Sequence, residues 1–98
     1  MEKNLAIAAL KRELPALRAL GATGLYLFGS TVREAASGNS DLDLFVDYDS
    51  NGRFSLVELV GMKQLLERRL GVPVDITTRD SLDPLLRRSI ESSAERIF

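Results

Sequence analysis

Between residues 41 and 49 the chain reads Asp-Leu-Asp-Leu-Phe-Val-Asp-Tyr-Asp, with Leu42, Leu44, Val46 and Tyr48 on one parity and Asp41, Asp43, Phe45, Asp47 and Asp49 on the other. Successive side chains of a strand point to opposite faces, so this alternation predicts a strand with one apolar and one acidic face. Aspartate is depleted in strands, and like charges along one face repel, so the acidic face needs a reason. A cation is the simplest. Residues i and i+2 project to the same side roughly 6 to 7 Å apart, since a strand rises about 3.3 Å per residue, and two carboxylates at that spacing can converge on hard divalent ions. Asp41 and Asp43 are the candidates for this role; the alternative is that they only solvate an exposed face. Asp47 and Asp49 read more simply as the strand's end and the turn at residues 50–52.

The rest of the chain supplies cover for the apolar face. Leu5, Ala8, Ala9, Leu10, Leu14, Leu17 and Leu20 recur at steps of three and four, which predicts a helix over residues 5–20, bent or restarted at Pro15 and ended by Gly21. The run 25–28, bounded by Gly24 and Gly29, reads as a buried strand, followed by a helical turn over residues 30–36. Ser55 is the expected N-cap of a helix closed by Gly71, with Leu56, Leu59, Val60, Leu66 and Leu70 on its core stripe. Residues 72–77 form a third strand with Asp75 on the face opposite Val74 and Ile76. Asp83-Pro84 announces a last helix that buries Leu85, Leu86, Ile90 and Ala94. The order predicts an α/β (α+β) fold: a small mixed sheet of three to four strands with helices packed against it, as one domain over residues 1–98. The apolar pair Ile97-Phe98 either tucks into this core or docks on a partner.

Composition then narrows the chemistry. With no His and no Cys there is no imidazole base, no thiolate nucleophile and no zinc site of the usual nitrogen and sulfur kind. Carboxylates, hydroxyls, Lys and Arg must do the work. Thirteen basic against fourteen acidic residues give a net charge of -1, which argues against a dedicated nucleic-acid surface. Charges interrupt the N-terminal segment, so no signal peptide is expected, and no apolar run reaches the roughly 20 residues of a membrane span. The expected setting is cytoplasmic.

A second phosphate-directed feature precedes the acidic strand. Gly29-Ser30 stands where a buried strand passes into a helical turn, a place where backbone N–H groups favour an anion and glycine permits close approach. Arg33 can turn its guanidinium to phosphate oxygens or to an acidic neighbour. Asp75 adds a third carboxylate if its strand lies beside residues 41–49.

Taken together, Phe28-Gly29-Ser30, Arg33, Asp41-Leu42-Asp43-Leu44 and Val74-Asp75-Ile76 resemble the nucleotidyltransferase pattern of the DNA polymerase β superfamily, and the whole chain resembles its smallest branch, the minimal nucleotidyltransferases. The resemblance implies a polymerase β-like palm fold. It further implies that Gly29 and Ser30 hold the phosphates of ATP, with Arg33 beside them, and that Asp41, Asp43 and Asp75 bind two catalytic Mg²⁺ ions. The same resemblance implies that Asp75 also helps to activate the acceptor hydroxyl. The family often writes Ala-Arg-Gly after this turn; here Val32-Arg33-Glu34 keeps the arginine and changes its neighbours.

Family members that modify antibiotics or nucleic acids carry extra domains for the acceptor, whereas the predicted elements consume almost all 98 residues here. The acceptor is then expected to bring its own surface, which favours another protein, or a small molecule enclosed by an oligomer, over a primer strand. Minimal nucleotidyltransferases of prokaryotes commonly stand beside HEPN-domain ribonucleases as antitoxins that place AMP on a toxin tyrosine, which makes a hetero-oligomer with a HEPN toxin the expected assembly. Two other readings compete: a binding module that neutralises its partner by occupancy, and a nucleotidyltransferase acting on a small metabolite.

Overall fold

The computed structural model describes residues 1–29, 31–32 and 41–98. The expected helical turn over residues 30–36 lies outside the described residues except at Thr31 and Val32. Four strands form one sheet in the order β3-β2-β1-β4: β1 (Ala22–Phe28), β2 (Leu42–Tyr48), β3 (Val74–Thr78) and the short β4 (Glu95–Arg96). β1 is antiparallel to both β2 and β4, and β2 runs parallel to β3. The sheet is therefore mixed, as the sequence predicts.

The helical stretch before β1 is split as the proline suggests, into α1 (Lys3–Arg12) and α2 (Leu14–Ala19), with Pro15 in the first turn of the second. α3 (Leu56–Leu70) starts at Ser55, whose hydroxyl accepts from Val57 N–H at 3.2 Å and donates to Glu58 at 2.7 Å. It stops at Gly71, which takes the left-handed conformation (φ +73°) that a β-carbon disfavours.

Ala6 and Leu10 of α1, Leu17 of α2 and Met62 and Leu66 of α3 pack with Leu25, Leu27, Leu42, Leu44, Val46, Val74 and Ile76 of the strands. The apolar parity of β2 thus meets the helices. Ile97 joins this core at 4 % exposure, its N–H donating to Leu25 O at 2.8 Å, which resolves the C-terminal pair in favour of tucking in.

Two expected core stripes are corrected. On α3, Leu66 is buried and Leu59 half-buried, but Leu56 and Val60 are exposed at 72 % and 42 %, and Met62 takes the central place. Each residue turns a helix by about 100°, so a stripe centred on 59, 62 and 66 leaves position 60 to the side. After Asp83-Pro84 the chain makes a turn, with Asp83 Oδ1 accepting from Leu85 N–H at 2.9 Å, and α4 begins only at Arg87 (Arg87–Ser93). Leu85 and Leu86 are consequently exposed, at 92 % and 54 %, while Ile90 and Ala94 are half-buried. A cap and a proline set the turn, but seven helical residues carry too little surface to bury that whole stripe.

Candidate active site

The parallel register of β2 and β3 pairs Leu42 with Val74, Asp43 with Asp75, Leu44 with Ile76, Phe45 with Thr77 and Val46 with Thr78. Asp43 and Asp75 are therefore immediate neighbours on the face away from the helices, on strands that lie about 4.8 Å apart. Asp43 is half-buried and Asp75 exposed. Asp41 precedes the first residue of β2 and is exposed, so it stands at the strand's entrance on the chain that feeds this pair. The turn at Gly29 closes in from the other side, because Phe28 of β1 is the register partner of Asp43. Gly29 has φ +80°, and a β-carbon there would fall against the Asp43 carboxylate, 3.0 Å from its Cγ and 3.2 Å from its Cβ. Glycine is thus required twice, for its conformation and for its missing side chain. Ser30 and Arg33 lie outside the described residues. Thr31, beside them, is 1 % exposed, and its hydroxyl has no hydrogen-bond partner among the described residues.

Further along the same face the strands carry aromatic cover that the acidic parity did not announce. Phe45 is fully buried under Tyr26, stacked at 4.7 Å between centroids, and Phe28, tilted at 5.8 Å. Arg79, in the single 3-10 turn that follows β3 (Arg79–Ser81), lays its guanidinium 4.8 Å from the Tyr26 ring and 4.9 Å from that of Phe45. Its edge forks onto Asp47, Nε to Oδ1 at 2.7 Å and Nη2 to Oδ2 at 3.0 Å, while Nη1 donates to Glu91 of α4 at 2.6 Å. These hydrogen bonds, Asp47's first, hold the guanidinium's pKa above its ordinary value against the cost of partial burial. Asp47 therefore does more than end a strand, whereas Asp49 does cap the expected turn by accepting from Asn51 N–H at 2.9 Å.

One residue on, Tyr48 donates its hydroxyl to Asp80 at 2.9 Å and stacks on Phe54 at 4.6 Å. That bond to Asp80 pushes the phenol up, while Asp80 is held below the usual carboxylate range by Thr78 first and Tyr48 second. The sequence did carry one signal of this arrangement, an aromatic residue at position 45 in a run of acids, but the partner at position 79 becomes visible only once the register is known.

The donor set suits a hard cation and excludes a soft one, since it offers carboxylate oxygens and no His or Cys. No cluster of three or more acidic groups closes round one ion among the described residues. Mg²⁺ does not need one: it is commonly held by one or two carboxylates together with the phosphates of a substrate. The Asp43–Asp75 pair, with a glycine turn against it, fits that mode.

The sequence profile of the family described as "Nucleotidyltransferase domain" matches residues 7–97. A Methanocaldococcus jannaschii protein named "Putative protein adenylyltransferase MJ0435" is 37 % identical over 90 % of this chain and 94 % of its own. A second protein of that organism and designation, MJ1379, is 38 % identical over 66 % of either chain. Among solved structures, one described as "Structure of putative minimal nucleotidyltransferase" superposes with a TM-score of 0.82 at 33 % identity, covering 97 % of this chain and 95 % of that one. A toxin-antitoxin crystal structure with AMP-PNP shares the fold at a TM-score of 0.71 and 21 % identity, over 90 % of this chain and 72 % of that one. A mixed sheet covered by α1, α2 and α3 on one face, a carboxylate pair on the other and this span of family similarity agree, and the chain belongs to the nucleotidyltransferase domain family in its minimal form.

Proposed function

We propose that this chain transfers AMP from ATP to a hydroxyl of a partner protein, a tyrosine of a HEPN ribonuclease toxin, and thereby acts as its antitoxin in the cytoplasm. The reading rests on the juxtaposition of Asp43 and Asp75 beside the Gly29 turn, in a chain whose relative is named "Putative protein adenylyltransferase MJ0435". The shared fold with a toxin-antitoxin structure that holds AMP-PNP is consistent with the nucleotide and the kind of partner.

Asp41, Asp43 and Asp75 would hold Mg²⁺, which when bound neutralises charge on the α-phosphate and on the leaving pyrophosphate. Gly29 and Ser30 orient the β- and γ-phosphates, with Arg33 as the accompanying cation. The acceptor oxygen forms its bond to the α-phosphorus in line with the bond to pyrophosphate that breaks, and Asp75 receives the hydroxyl proton. Positioning and charge neutralisation carry most of such a displacement, so a single domain of three aspartates and a phosphate cradle suffices. The acceptor surface belongs to the partner, which makes the working unit a hetero-oligomer.

The test exposes the protein and the product of its neighbouring gene to Mg²⁺ and ATP labelled at the α-phosphate, with γ-labelled ATP and Asp43→Asn as controls. Label on the partner from α-labelled ATP alone, lost in Asp43→Asn, is the expected result. A tight complex that carries no label and forms equally well with Asp43→Asn would leave neutralisation by occupancy as the function.

A further inference from the structure

The five register pairs of β2 and β3 all have the same sequence offset, 75 against 43 and so on, and that offset continues past the last ladder pair into side chains. Asp47 meets Arg79 and Tyr48 meets Asp80, each again 32 residues apart. We propose that Arg79, through Asp47, is a positioning residue for the active site: it fixes β3 in the one register that sets Asp75 beside Asp43. The functional half of this inference rests on the metal-binding role proposed above for the two aspartates.

The need for such a device follows from the alternatives open to the strand. A slip of one residue turns Val74 and Ile76 out of the core and is excluded by their burial. A slip of two in one direction carries Asp80 into the buried place of Thr78 and is excluded in the same way, but in the other direction it keeps every face correct and brings Val72, Val74 and Ile76 to the helix side. It also separates Asp75 from Asp43, relieving the repulsion of two carboxylates that lie directly opposite each other. Burial alone therefore discriminates weakly against the register that leaves the site unbuilt. The Asp47–Arg79 fork does discriminate, because that shift puts Thr77 where Arg79 stands. Stacking on Tyr26 and Phe45 carries the fastening across to β1, and the bond to Glu91 occupies the remaining edge of the guanidinium. Glu91 belongs to α4 and so holds the arginine without bearing on strand register, which makes it the natural control.

Two measurements on the full-length chain, compared at matched folded fraction, test this. Amide hydrogen exchange reads the fastening of residues 74–78, and the paramagnetic resonance of free Mn²⁺ reads binding of Mn²⁺ alone, with no turnover required. In Asp47→Asn, exchange across 74–78 is expected to quicken at least tenfold and the Mn²⁺ dissociation constant to rise about tenfold. Arg79→Lys, which keeps the charge but not the fork, should fall between, and Glu91→Gln should move either quantity less than twofold. Faster exchange with unchanged Mn²⁺ binding would reduce the pair to a local fastening and overturn the positioning role. Unchanged exchange would overturn the register role itself. If the unaltered protein takes up no Mn²⁺, the metal reading of the proposed function fails separately, and exchange alone upholds or overturns the register role.

Discussion

The two ends of the β2–β3 pair are built on opposite electrostatic principles. At one end like charges, Asp43 and Asp75, are set side by side; at the other, the same offset brings together the opposite charges of Asp47 and Arg79. A sheet assembled for stability alone would have no use for the first arrangement, since like charges opposite each other oppose pairing. The contrast teaches that one strand pair carries both a repulsive and an attractive end, with the cost of the first offset by the second and by the aromatic cover between them.

The largest separation of the two ends should come from Asp75→Asn. The proposed transfer to the partner is expected to fall at least about 100-fold, in the range seen when a group that stabilises transition-state charge is removed. Stability should hold or rise, because relief of a cross-strand repulsion is worth about 0.2–1 kcal/mol. Labelled-nucleotide transfer and a thermal melt of the same sample check both halves. A melt lowered by several degrees would show that Asp75 supports the fold and would break the comparison.

Gly29→Ala attacks the same end through the backbone. A positive φ at a residue with a β-carbon costs about 1–2 kcal/mol, and here that carbon also displaces the Asp43 carboxylate. A loss of about 2 kcal/mol should lower the melting temperature by roughly 8–16 °C in a domain of this size. At the opposite end, Asp47→Ala strands the Arg79 guanidinium against Tyr26 and Phe45, with Glu91 its one remaining hydrogen-bond partner among the described residues. Charge-assisted hydrogen bonds are worth about 1.5–3 kcal/mol, and partial exposure keeps the expected loss near the lower figure, about 1.5 kcal/mol by chemical denaturation.

The division of labour was only half legible in the sequence. Alternation over 41–49 exposed the strand, its two faces and the Asp41–Asp43 spacing, because a period of two survives in any context. Ser55, Gly71 and Pro15 marked helix ends through local chemistry, and the structure follows them. The two-residue β4 could not be seen, since pairing with β1 rather than any local pattern makes it a strand. Leu56, Val60, Leu85 and Leu86 escape the core that their pattern predicts, because a hydrophobic stripe tells which side of a helix is apolar, not how much of that side a neighbour covers. Arg79 was invisible for a similar reason: nothing within its own neighbourhood of sequence points to Asp47, and the link exists only through strand register.

A finer test concerns how β3 is held from the helix layer at the carboxylate end. β3 is an edge strand, and α3 closes its exposed side: Glu67 accepts from Val74 N–H at 2.9 Å, and Lys63 donates to Val74 O at 2.6 Å and to Glu67 at 3.2 Å. The backbone bond from Val74 first, and Lys63 second, lower the pKa of Glu67 in the folded chain. A carboxyl so lowered binds its proton less tightly when folded than when unfolded, so its contribution to stability is complete above about pH 4.5 and fades as pH falls through the lowered value. Glu67→Gln keeps an oxygen for Val74 but loses the charge facing Lys63. Its melting temperature should therefore lie slightly below that of the unaltered protein at pH 7, and the two curves should converge as pH falls through the lowered value. The Asp47–Arg79 end has no counterpart to this on its cationic side, because the raised guanidinium stays charged throughout the range. A difference that persists unchanged into acid would mean that Glu67 works through packing, and that charge fastens β3 at the Arg79 end alone.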